Sequence, residues 1–125
     1  MMNPYDKYKE QAVMTMTPGE MVVRLFEEVI NQMNRAIISI EENNLSAANS
    51  SLQKSQRIIN HLRATLDNRY EISAPLRQLY DFFLEQIIKA NVRKDIVPLQ
   101  ETLPLVEELK DAFAQGERLA RIGSA

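Results

Sequence analysis

The chain has 125 residues, 45 % of them hydrophobic and 26 % charged, with a formal net charge of −2. That length suits one domain with an ordinary core. No cysteine is present, which excludes disulfides, thiolate zinc sites and cysteine catalysis, and the near-neutral mixture of charges offers nucleic acid no basic face.

The N-terminus, Met1 to Lys7, lacks the apolar stretch of a signal peptide, and no apolar run is long enough to span a bilayer. The expectation is a cytoplasmic protein that does not insert into membranes. Residues 1–16 hold Tyr5, Tyr8, Val13, Met14 and Met16 without a sustained helical stripe, and read as an N-terminal arm that docks on something. All six methionines fall within the first 33 residues, and methionine suits adaptable grooves.

The first helix is predicted over about 18–41. Thr17 is a natural N-cap, Pro18 suits the first helical position, and Glu20 completes a capping box. Val22, Leu25, Phe26, Val29, Ile30, Met33, Ala36, Ile37 and Ile40 form a stripe at 3.6-residue spacing, with Arg24, Glu27, Asn31 and Arg35 opposite. A second helix is predicted over about 45–67. Its seam of Leu45, Ala48, Leu52, Ser55, Ile59, Leu62 and Leu66 alternates steps of three and four.

Ser73 reads as the cap of a third helix over about 74–93, whose face carries Leu76, Leu79, Tyr80, Phe83, Ile87 and Ala90. Lys89, Arg93 and Lys94 near its end read as cations complementing the helix dipole. A fourth helix, over about 96–115, presents Leu99, Thr102, Leu103, Val106, Leu109 and Phe113. Pro104 inside it predicts a kink, and two short helices meeting near Thr102 are the alternative. No glycine occurs from Glu20 to Gln115, so β-hairpins have almost no turns to use. The fold class is therefore all-α: an antiparallel four-helix bundle with an N-terminal arm, a single domain over 1–125.

Chemistry is mostly excluded by what is missing. A dinuclear metal bundle needs Glu-x-x-His on two helices, but His61 is the only histidine and Ile58 stands three residues before it. No glycine-rich phosphate loop exists. Histidine phosphotransfer domains are four-helix bundles with one exposed histidine, followed at the second, third and fourth places by leucine, lysine and glycine. Arg63, Ala64 and Thr65 occupy those places here. His61 reads as a surface histidine, with phosphotransfer as an alternative. No catalytic, cofactor-binding or metal-binding residue is assigned.

The informative residues are apolar ones away from the stripes. At 100° per residue Ile38, Phe82 and Ile88 lie more than about 90° from their core faces, and Val23 and Leu105 sit at stripe edges. Several such residues on a bundle without catalytic groups suggest a groove for a partner helix.

Ordered segments along the chain resemble one family. Asn3-Pro4-Tyr5, Tyr8, and the stretch Thr15-Met16-Thr17-Pro18-Gly19-Glu20 resemble the start of the FliS family of flagellin export chaperones. Arg24-Leu25-Phe26-Glu27-Glu28-Val29-Ile30 is similar to its next segment, where tyrosine is common in place of Phe26. Lys54-Ser55-Gln56-Arg57-Ile58-Ile59, Leu79-Tyr80-Asp81-Phe82-Phe83, Ala90-Asn91 with Asp95, and Asp111-Ala112-Phe113 continue the likeness. Glu85-Gln86 stands where a basic pair is frequent, and Phe113 where tryptophan is usual.

The resemblance implies a cytoplasmic, non-enzymatic chaperone that needs no cofactor. Its client would be the disordered C-terminal segment of flagellin, kept from polymerising before export through the flagellar type III apparatus. An export-gate component would be a further contact, and the chain itself a monomer or a weak homodimer. The residues expected to touch the client are Tyr5, Tyr8, Val23, Ile38, Phe82, Ile88 and Leu105, with the arm covering client surface when the client is absent. A general helical adaptor is the other reading.

Overall fold

The computed structural model describes residues 18–123, with side chains through 119. The arm, with Tyr5, Tyr8 and the Thr17 cap, lies outside the described residues. Four helices follow in order: α1 (Pro18–Glu41), α2 (Leu45–Ala64), α3 (Ser73–Arg93) and α4 (Val97–Gly123). Each packs on its neighbours in a closed ring, α1 on α2 and α4, and α3 on α2 and α4. Short connections between successive helices make them antiparallel. One end of the bundle therefore carries the start of α1, the 65–72 connection and the tail of α4.

The core is the apolar stripe of each helix. Phe26, Val29, Met33 and Ala36 of α1 meet Leu52, Ile59 and Leu62 of α2, and Leu76, Tyr80, Phe83, Ile87 and Ala90 of α3. Leu99, Leu103 and Val106 of α4 close it. Phe26 stacks at a tilt against Tyr80 (6.2 Å between centroids) and Phe113 (5.5 Å), so one aromatic cluster joins three helices. Ser55 and Thr102 are buried in this core, and each hydroxyl donates to the carbonyl one turn back, of Ser51 and Pro98. They therefore fill apolar positions without an orphaned polar atom.

The helix ends show where local chemistry departs from the periodic pattern. α1 closes on Asn43 in the left-handed region (φ 59°), and the Asn44 side chain accepts the Ala47 N–H to cap α2. α2 ends at Ala64, three residues before the predicted end at Asp67. The Thr65 N–H is shared between the His61 and Leu62 carbonyls, its hydroxyl donates to Leu62, and the Asp67 carboxylate accepts the Arg69 N–H. Such side chains compete with the helical ladder and stop it.

Ser73 does not cap α3. It is the first helical residue, and its hydroxyl donates to the Tyr70 carbonyl, while Ile72 precedes it with no side-chain cap. Leu79, expected in the core, is 36 % exposed. It stands roughly 60° from the line of Leu76, Phe83 and Ile87 by the 100° step, enough to carry it to the helix edge.

α4 is longer than predicted. Gly116 does not terminate it, because no described glycine adopts the left-handed conformation that a glycine C-cap uses. A mid-helix glycine costs only about 1 kcal/mol. Pro104 lies within one continuous helix, so the two-helix alternative is not what forms. Both Pro104 and Gln100, whose carbonyl loses its partner, are exposed, and water can satisfy the freed group there.

Candidate binding surface

The residues singled out for binding do not form one patch. Val23 lies at the α1/α4 edge, in a shallow cavity of about 220 Å³ with Glu20, Ala114, Glu117 and Arg118. Ile38 is exposed near the opposite end of α1, turned away from the core. Ile88 is exposed on α3 beside Leu84 and Val92.

Phe82 and Leu105 stand on the neighbouring edges of α3 and α4. The Arg63–Asp81 ion pair (2.6 Å) and the hydrogen bond that the Asn91 side-chain amide donates to Asn49 Oδ1 (2.9 Å) fix one edge of α3 against α2. Phe82 and Leu79 occupy the other edge, toward α4. On α4, Leu109 and Ala112 share a cavity with Leu76 and Ile72 of α3, so that edge faces α3, and Leu105 continues it. Leu79, Phe82 and Leu105 are all exposed, and by the helical step they stand on the edges of α3 and α4 that border the groove between these two packed helices.

That groove runs toward an apolar cleft which the helical periodicity did not reveal. At the end of the bundle a cavity of about 380 Å³ is lined by Gly19, Ile72, Leu76, Leu109, Ala112, Phe113, Gly116 and Glu117. A second, of about 220 Å³, shares Ile72, Leu76 and Phe113 with it and adds Val22, Leu66 and Tyr70. Three features of the chain open it. α2 stops early, the 65–72 connection spans the gap, and Gly116 contributes no side chain where a Cβ would meet nothing within 4 Å. Gly19 lets the Glu117 carboxylate approach the α1 backbone closely, and a Cβ there would displace that side chain. A helical wheel gives the angle of Leu109 and Phe113 but not their height, so it assigns them simply to the core. Tyr70 and Ile72, large apolar residues in a connection and well exposed, were the available signal.

The electrostatics are local. Glu28 is held below the usual carboxylate range, chiefly by the Gln32 amide that donates to it (2.7 Å), with Lys54 of α2 adding charge attraction. Asp67 is lowered by the Arg69 guanidinium beside it. Burial alone pushes the Tyr80 hydroxyl up to about 12. Among the described residues no group of three His, Cys, Asp or Glu could hold a metal ion. His61 is exposed near the end of α2, and Arg63 beyond it is engaged with Asp81. No described helix is long and apolar enough to cross a membrane. What the cleft and groove offer is aliphatic and aromatic carbon, with Asp67 and Glu117 bordering the cleft. Such a surface takes apolar side chains presented by a helix.

Comparison with known proteins gives a consistent picture. A family profile described as "Flagellar protein FliS" matches residues 1–119. The "Flagellar secretion chaperone FliS" of Bacillus subtilis (strain 168) is 34 % identical over 125 residues, covering 98 % of this chain and 94 % of that protein. The protein of the same name from Escherichia coli (strain K12) is 31 % identical over 109 residues, covering 85 % and 80 %. Among solved structures, one titled "Crystal structure of flagellar chaperone from bacteria" superposes with a TM-score of 0.77 over 91 % of this chain and 94 % of the other. At 19 % identity that likeness speaks for the fold.

Proposed function

Because the chain belongs to the FliS family of flagellar secretion chaperones, we propose that it binds the disordered C-terminal segment of flagellin in the cytoplasm. Membership of a chaperone family implies binding rather than catalysis. The bound segment is thereby kept from polymerising and remains competent for export, with an export-gate component as the receiver.

The observation that supports this reading is the apolar cleft at the end of the bundle, lined by Ile72, Leu76, Leu109 and Phe113, together with the exposed Leu79, Phe82 and Leu105 farther along α3 and α4. A client that orders on binding can lay an amphipathic helix along such a surface, anchored by apolar residues one turn apart. Ordering costs the client several kcal/mol of the gross contact energy, so release needs no nucleotide. Val23 extends the surface on the α1 side of α4. Tyr5 and Tyr8 belong to the same proposal as residues that cover client surface in the free protein. Ile38 and Ile88 stand off this surface, and only a client that wraps around the bundle reaches them.

The test is capture of a flagellin C-terminal fragment by the full chain, followed by calorimetry. The reading expects a one-to-one complex with a negative heat-capacity change and a gain in client helix. Failure to bind, with another helical protein captured instead, would favour the general adaptor.

A further inference from the structure

Tyr80 carries a polar group that neither the core packing nor the apolar client surface uses. The residue is 2 % exposed, and its ring belongs to the aromatic cluster with Phe26. A buried tyrosine hydroxyl ordinarily finds a hydrogen-bond partner. This one makes no hydrogen bond among the described residues. Yet no described side-chain oxygen or nitrogen is sealed from solvent without a partner. The little exposure that Tyr80 retains therefore includes the hydroxyl, and the second end cavity, of about 220 Å³, is the opening it lines. Helical side chains lean toward the N-terminus of their helix, which turns the ring toward Ser73 and Leu76 at that same end.

The chemistry of the other cavity walls limits what this hydroxyl can meet. Val22, Leu62, Leu76 and Phe113 present carbon. The Thr65 and Ser73 hydroxyls donate their protons to the Leu62 and Tyr70 carbonyls, so each has only lone pairs left for the cavity. Asp67 stays ionised beside them, held by Arg69. An incoming carboxylate would meet that charge, and an incoming ammonium would be desolvated against an anion that Arg69 already satisfies. A primary amide suits both kinds of polar group. Its oxygen accepts a proton, and its NH2 donates to oxygens that have none to give.

We propose that this cavity is a subsite for the side chain of a glutamine or asparagine, whose amide oxygen accepts the Tyr80 O–H while its NH2 donates to the Thr65 or Ser73 oxygen. The source of the amide rests on the chaperone reading: a residue of the flagellin C-terminal segment supplies it. Tyr80 then selects the register in which the client binds. An apolar side chain of the same size leaves the buried hydroxyl without a partner, and binding is weaker for it.

Calorimetry of the full chain and of Tyr80→Phe with a flagellin C-terminal peptide tests this. The substitution removes one oxygen that has no partner in the fold, so the variant should melt at or slightly above the wild-type temperature. It should bind the peptide about three- to tenfold more weakly, as one neutral hydrogen bond allows. The peptide's glutamines are then replaced by methionine and its asparagines by leucine, one at a time. A single position should emerge whose replacement weakens binding to the wild type by that factor and leaves binding to Tyr80→Phe unchanged. Melting well below wild type, binding as tight as wild type, or the lack of any coupled position overturns the proposal. A small amide separates the subsite from the chaperone reading. Hexanamide at millimolar concentration should shift the methyl resonances of Leu62, Leu66 and Leu76 in the free chain. Hexanoate should bind about threefold or more weakly, and Tyr80→Phe should lose that preference. Equal responses, or a preference kept by the variant, overturn the subsite whether or not the peptide binds. A chain that prefers hexanamide but does not bind the peptide upholds the subsite and contradicts the chaperone reading.

Discussion

Phe82 and Phe83 are adjacent in the chain and lie in opposite environments, which makes them a sharp test of the groove. Phe83 is 0 % exposed, so Phe83→Ala removes a ring from a closed core and should cost about 3–5 kcal/mol, lowering the melting temperature by about 10–20 °C. Phe82 is 41 % exposed. Of a phenylalanine's roughly 200 Å², about 80 Å² therefore remains for a client to cover, worth about 2 kcal/mol at about 25 cal/mol per Å². Phe82→Ala should thus weaken binding of a flagellin C-terminal peptide by up to about 30-fold, while costing about 1 kcal/mol of stability. Thermal melts and calorimetry on both variants separate the two effects. If Phe82→Ala melts as early as Phe83→Ala, the residue belongs to the core. If it binds the peptide as tightly as wild type, the α3/α4 groove is not the client path.

Other expectations concern the cleft, the helix interior and pH. Gly116→Ala should stabilise the chain by about 0.5–1 kcal/mol through helix propensity, having open space for its methyl group. Gly116→Leu should fill the cleft and weaken peptide binding without lowering the melting temperature; unchanged binding would remove the cleft from the client path. Pro104→Ala restores a donor to the Gln100 carbonyl within a continuous helix, and should raise stability by about 1–3 kcal/mol in urea titrations. The Tyr80 hydroxyl, raised by burial from 10.0 to about 12, gives a definite sign. The folded state holds this proton more tightly than the unfolded one, so the contribution is whole below about pH 10 and is lost as pH rises toward about 12. Urea midpoints should fall across that window, and Tyr80→Phe should flatten the fall; an identical slope in the variant would contradict it.

The fold was largely legible because period-3.6 stripes are wide and glycine is nearly absent between them. The stripe of the first helix matches its limits, 18–41, and the four core faces hold except at Leu79, on the edge of α3, and Leu45, which stands at the first residue of α2 and is 45 % exposed. Boundaries failed where side chains rewrite local hydrogen bonding. Thr65 and Asp67 stopped α2, Ser73 bonded backward to Tyr70 instead of capping, and Gly116 carried no turn to end α4. The binding surface was harder to read, because angle on a wheel does not give height along the axis. Phe82 and Leu105 could be recognised as off-core, and both are exposed, but their spacing does not tell which neighbouring helix each borders. The end cleft depends on relative helix lengths, which a stripe does not encode. It is built from Ile72 in a connection and from Leu109 and Phe113, which count as core in any periodic reading.

On the proposed function, a disordered flagellin segment folds onto this bundle. Titrating the full chain into a flagellin C-terminal peptide while following far-ultraviolet circular dichroism and heat across several temperatures tests it most directly. Saturable one-to-one binding is expected, with helix gained by the peptide, a negative heat-capacity change and little dependence on salt, given a net charge of −2. A peptide that stays unfolded, or binding that collapses at moderate salt, would contradict it.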